Sequence, residues 1–123
     1  MIKPRTSTFH IGLYRSNFTL SIATTVREAV GRLPKSFKLD DDSDGDDSAG
    51  LMLADGMGGF AVCLNADHLD HNILAHELFH VTIDMLSRVN VKLDSENDEA
   101  AAHLMGWLTE LSIEKMKEWR IKI

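Results

Sequence analysis

At 123 residues and 44% hydrophobic content, the chain suits a single domain with a single core. Its net charge of −6, with Lys and Arg scattered and forming no basic run, argues against a nucleic-acid surface. No stretch approaches about 18 uncharged apolar residues, so neither a secretion signal nor a membrane span is expected. The lone Cys63 excludes an internal disulfide and suits a reducing cytosol.

Two short strands are predicted first, Phe9 to Tyr14 and Phe18 to Ala23, joined by the polar Arg15-Ser16-Asn17. His10 falls in the first of them and reads as an ordinary strand residue. A short helix follows from Thr24 or Thr25, whose hydroxyl can cap the first turn, with Val26, Ala29, Val30 and Leu33 at helical spacing and Pro34 ending it. Residues 40–48 hold six Asp in a run that buries nothing, which predicts a disordered, solvated loop. Asp40, Asp42, Asp44 and Gly45 match the first half of a calcium loop, but Leu51 stands where the bidentate glutamate is needed.

Leu51 to Ala54 and Phe60 to Asn65 flank the glycine-rich Asp55-Gly56-Met57-Gly58-Gly59 and read as a β-hairpin. Cys63 lies in the second strand as buried filler. Because that strand ends just before the next helix, it is expected at a sheet edge, where its free backbone groups could pair with an extended peptide.

The next helix, from about Asp70 to Val89, carries the most informative stretch of the chain, His76-Glu77-Leu78-Phe79-His80. Histidines four apart on a helix share a face, so both imidazoles can reach one metal ion while Glu77 stands beside them. This is the H-E-x-x-H pattern of zinc-dependent hydrolases. Leu74, Leu78, Val81, Met85 and Val89 form the core stripe next to that face. Asp84, one turn beyond His80, is either an ordinary exposed residue or a partner that orients an imidazole. His68 and His71 are off ligand spacing and read as loop or first-turn residues.

After a turn at Asn90 to Asp94, Ser95 and Asp98 resemble a capping box opening a last helix that reaches about Trp119. Ala100, Leu104, Trp107 or Leu108, Leu111 and Lys115 trace its buried side, and Glu99, His103, Gly106 and Glu110 an adjacent polar stripe. Packed against the motif helix, with Gly106 permitting close approach, this helix would bring Glu99 to the histidines.

A catalytic zinc site needs three protein ligands and an open position for water. His76, His80 and Glu99 would supply the ligands, with Asp94, Glu96 and Asp98 as competitors for the third place. Glu99 ranks first because it alone begins a helical polar stripe. Glu77 is set to take a proton from the activated water and pass it to the leaving amine. His103 would donate to the oxyanion, or else fix the Glu99 carboxylate.

On these residues a resemblance becomes specific. Ala49-Gly50-Leu51, the hairpin through Asn65, Ile73 to Val81 and Asp98 to Leu108 resemble a group of small, largely phage-encoded proteins with the zincin motif in the gluzincin style. The resemblance covers somewhat over half the chain. It implies a minimal metallopeptidase fold with zinc on His76, His80 and Glu99. Relatives often carry tyrosine where His103 stands. A more distant similarity is to metallopeptidases that cleave phage repressors, although this chain has no helix-turn-helix partner domain.

The expectation is therefore a single α+β domain over residues 1–123, with a small antiparallel or mixed sheet of about four strands packed on an active-site helix and a C-terminal helix. Its expected activity is zinc-dependent hydrolysis of a peptide or protein in the cytoplasm, the host's if the chain is phage-encoded. The alternative is a non-catalytic zinc-bearing protein that occupies a host partner.

Overall fold

The longest stretches of buried side chains belong to two neighbouring strands, and the rest of the protein is built outward from them. The computed structural model describes residues 2–37 and 49–123, so the predicted acidic loop and half calcium loop at 40–48 lie outside the described residues. Strands β1 (Arg5–Ile11), β2 (Ser16–Ala23), β3 (Gly50–Ala54) and β4 (Gly59–Asn65) form one sheet in the order β1-β2-β4-β3. β2 and β4 pair in parallel, while β1 and β3 flank them antiparallel, giving a mixed sheet. With helices α1 (Val26–Gly31), α2 (His71–Arg88) and α3 (Asp98–Glu118), the fold is α+β. No helix among the described residues is long and apolar enough to cross a membrane.

The period-two alternation of the central strands sends their side chains to two different cores. Phe18, Leu20 and Ile22 of β2 lie in register with Phe60, Val62 and Leu64 of β4, and all six pack in one cluster with Leu74, Leu78, Val81 and Met85 of α2 and Leu104, Leu108 and Met116 of α3. The opposite face, with Ala23 and Cys63, packs on Val26, Ala29 and Val30 of α1. Cys63 is fully buried, and its thiol is pushed up to about 12, first by burial and then by the negative charge of Glu77. A thiol held neutral in this way is filler and not a nucleophile.

Local chemistry sets the element ends. Thr25 caps α1 by accepting from the Glu28 amide at 3.1 Å, and Asp70 caps α2 by accepting from the Ile73 amide at 2.8 Å. α2 ends with Asn90 in the left-handed region (φ 64°), where the Val91 amide donates to Leu86 and the Asn90 amide to Ser87. α3 closes in the same way around Arg120 (φ 61°), with the Ile121 amide donating to Met116.

Four expectations need correction. β1 runs Arg5–Ile11, earlier than predicted, because Thr6 and Thr8 bond across to Ser21 and Thr19 and His10 bonds to Asn17; the predicted Gly12–Tyr14 portion is a 3-10 turn. β4 is central and β3 is the edge strand. α3 starts at Asp98, because the Asp94 carboxylate takes the Glu96 and Asn97 amides in the preceding turn and Ser95 does not cap. The buried stripe of α3 is Ala101, Leu104, Leu108, Ser112 and Met116, which leaves Trp107 outside.

That rotation also places Gly106 on the exposed side, with no atom of the described residues within 4 Å of where a Cβ would stand, so it mediates no close approach to α2. Gly106→Ala is accordingly expected to stabilise the protein by about 0.5–1 kcal/mol, read as a higher urea midpoint, because it only removes backbone freedom from the unfolded chain.

Candidate metal centre

α2 lies against β3 and β4 with its core stripe inward, and this divides the H-E-x-x-H residues between two environments. Leu78 is fully buried and Glu77 is 9% exposed, whereas His76 and His80 face solvent. A one-residue step along a helix turns the side chain by roughly 100°, which is how adjacent residues of one motif come to be wet and dry.

The two imidazoles converge. His76 Nε2 and His80 Nε2 are 3.2 Å apart, with ring centroids at 4.9 Å and planes crossing at 73°. Two nitrogens each about 2.0–2.1 Å from one tetrahedral ion would be roughly 3.3 Å apart, so the pair already has the spacing of a shared ligand set.

Glu77 lies beneath Gly50, the first residue of edge strand β3. A Cβ at Gly50 would come within 3.1 Å of Ile73 and Leu64 and 3.2 Å of Glu77 Cγ. Two shallow depressions adjoin this contact, and Gly50 and Glu77 line both. One reaches Asn72, Ile73 and His76, and the other Leu51, Met52 and His80. Gly50→Val is expected to destabilise the protein by about 1–3 kcal/mol in urea unfolding, because the added methyls must displace core side chains. The same displacement would move the Glu77 carboxylate.

The remaining predicted residues are placed elsewhere. Glu99 Oε2 is 3.3 Å from His103 Nε2, one turn along α3, and both side chains are more than four-fifths exposed. Among the described residues no three His, Cys, Asp or Glu side chains gather closely enough to hold an ion. The structure thus joins His76 with His80 and Glu99 with His103, and does not bring the two pairs together as one ligand set. Nor does Glu77 converge on the imidazole pair as a third ligand. The competitor Asp94 is engaged with backbone amides of its own loop. Asp84 lines a different depression, with Arg88 and residues of the β3–β4 hairpin.

Sequence reading missed two residues that shape this region. Gly50 entered only within the Ala49-Gly50-Leu51 stretch of the resemblance, with no role of its own. Asp55 organises the β3–β4 turn, its Oδ1 accepting from the Met57 and Gly59 amides at 2.7 and 2.8 Å. Burial alone would raise its carboxyl, but those amides and the Ser36 hydroxyl together hold it below the usual carboxylate range. A Cβ at Gly59 would collide with that carboxylate, so the D-G-x-G-G pattern was the available clue. Compared with protein-family models, curated proteins and solved structures, the chain matches none.

Proposed function

We propose that the protein is a zinc-dependent peptidase whose ion is held by His76 and His80 on α2, with Glu77 as general base. The observation that carries this reading is the 3.2 Å approach of the two Nε2 atoms beside a carboxylate whose stem is buried. The donor set fits zinc, since imidazole nitrogens are among its preferred ligands. A bound zinc ion would supply Lewis acidity and a water of lowered pKa.

The chain's own residues would do the rest. His76 and His80 orient the centre from a rigid helix. Glu77, wedged under Gly50, accepts a proton from water and returns it to the leaving amine. Edge strand β3 has one side with no strand partner among the described residues, beside both depressions, so an extended peptide would lie along Gly50–Ala54. Glu99 is the proposed third ligand and would have to leave His103 to serve. His103, whose Nε2 lies 3.3 Å from that carboxylate, would fix Glu99 until an ion takes it, and the contact favours that role and not one as oxyanion donor.

The separation of Glu99 from the imidazole pair also supports a second reading, in which the protein carries zinc and occupies a host protein without cleaving it. Elemental analysis and calorimetry on the whole chain test the shared premise. One equivalent of zinc is expected, with affinity falling by at least roughly 10–100-fold in His80→Ala, as loss of a ligand should cost no less than loss of an outer partner. A chain that takes up no zinc from a buffered solution would end both readings. Zinc uptake without cleavage of any member of a peptide library would leave the second.

A further inference from the structure

The far end of α3 presents a groove of a different character. Its floor is apolar, made by Ile113, Met116, Ile121 and Ile123, and it encloses about 490 Å³. Lys117, Arg120 and Lys122 stand on its rim, and all three are exposed. None of their side chains has a hydrogen-bond or ion-pair partner among the described residues. The nearest acid in sequence, Glu118, is held by Lys115 at 3.1 Å, and Glu114 does not line the groove.

This concentration of cations runs against the whole-chain charge of −6. Among the described residues, no Lys or Arg lines the depressions beside His76 and His80. Arg120 is also the residue that takes the left-handed conformation closing α3, a position where glycine is conformationally easier. The fold there keeps an arginine in a disfavoured backbone region, and its cation falls on the rim.

We propose that this groove docks an acidic amphipathic segment of a partner protein, with an apolar side chain on the isoleucine floor and carboxylates on Lys117, Arg120 and Lys122. Charge complementarity selects the partner's sign, since like charges brought to this rim would repel. The recessed floor selects a protein over an anionic membrane. Ile113, Ile121 and Ile123 are half-buried and Met116 is 1% exposed, so they form a socket for a protruding side chain and not a projecting wedge that enters acyl chains. The site is separate from the proposed zinc centre and does not depend on it.

The test is a titration of the full, methyl-labelled chain, followed by nuclear magnetic resonance, with three probes: a short synthetic peptide of Glu and Leu, its counterpart with Lys for Glu, and phosphatidylglycerol vesicles. The Glu-Leu peptide is expected to give saturable shifts centred on the Ile113, Ile121 and Ile123 methyls, and binding should weaken as salt is raised. The exposed double variant Lys117→Glu/Lys122→Glu should weaken it roughly fivefold or more, and Lys117→Gln/Lys122→Gln by less, because each rim pair is a modest exposed interaction. Equal binding of the Lys-Leu peptide, indifference to the double variant, no saturable shift, or shifts produced by the vesicles and not by the acidic peptide would each overturn the proposal.

Discussion

In the zinc-loaded protein, Glu77→Gln is expected to lower peptide hydrolysis by roughly 10²–10⁴-fold, the usual contribution of a positioned general base, while one equivalent of zinc stays bound. The substitution keeps the shape of the side chain under Gly50, where Cγ has only 3.2 Å to a Cβ position, so the packing against β3 is preserved. What changes is the ability to accept a proton. Glu77→Asp is the informative companion, since it keeps the acid but withdraws it by one methylene. Hydrolysis and metal content, measured on the same preparations, check the result. Undiminished turnover in Glu77→Gln would remove Glu77 from the mechanism, and loss of zinc with loss of turnover would make it a ligand instead.

Leu78→Ala is expected to cost about 2–5 kcal/mol of folding stability, the range for truncating a large aliphatic side chain in a closed core. Leu78 is fully buried, in the cluster that joins α2 to the sheet and α3. A typical domain is stable by only about 5–15 kcal/mol, so this one change could leave much of the protein unfolded. Its neighbours His76 and His80 sit on the same helix, so zinc at about 100 times its dissociation constant should restore roughly 2.7 kcal/mol if it binds only the folded chain. Urea unfolding with and without zinc measures both effects. A loss below about 1 kcal/mol would mean that the site collapses around the deletion.

The parts of the structure that followed from sequence are those fixed by local chemistry. The Thr25 cap, the Leu74-Leu78-Val81-Met85 stripe and the glycine-rich hairpin each depend on residues within a few positions of one another. The adjacency of His76 and His80 belongs to the same class, since one helical turn dictates it. What eluded sequence reading depends on long-range partners. Thr6 and Thr8 give no apolar signal, and their strand exists because Ser21 and Thr19 answer them from β2. The central place of β4 follows from its parallel pairing with β2, which no local pattern encodes. The face of α3 was misjudged by about one residue, because Trp107 and Leu108 are equally apolar and only packing against α2 decides between them. That small rotation carries Gly106 to the exposed side and sets the outward direction of the stripe on which Glu99 and His103 lie.

The parallel seam between β2 and β4 has a kinetic consequence. The β1–β2 and β3–β4 hairpins can each assemble from neighbouring segments, but the middle of the sheet closes only after the chain has looped back across residues 24–58. Loop closure of that length is entropically uphill until the apolar contacts form, so joining the two hairpins is the expected rate-limiting event of folding. Truncating Leu20 or Val62, which face each other across the join, should therefore slow refolding more than it speeds unfolding.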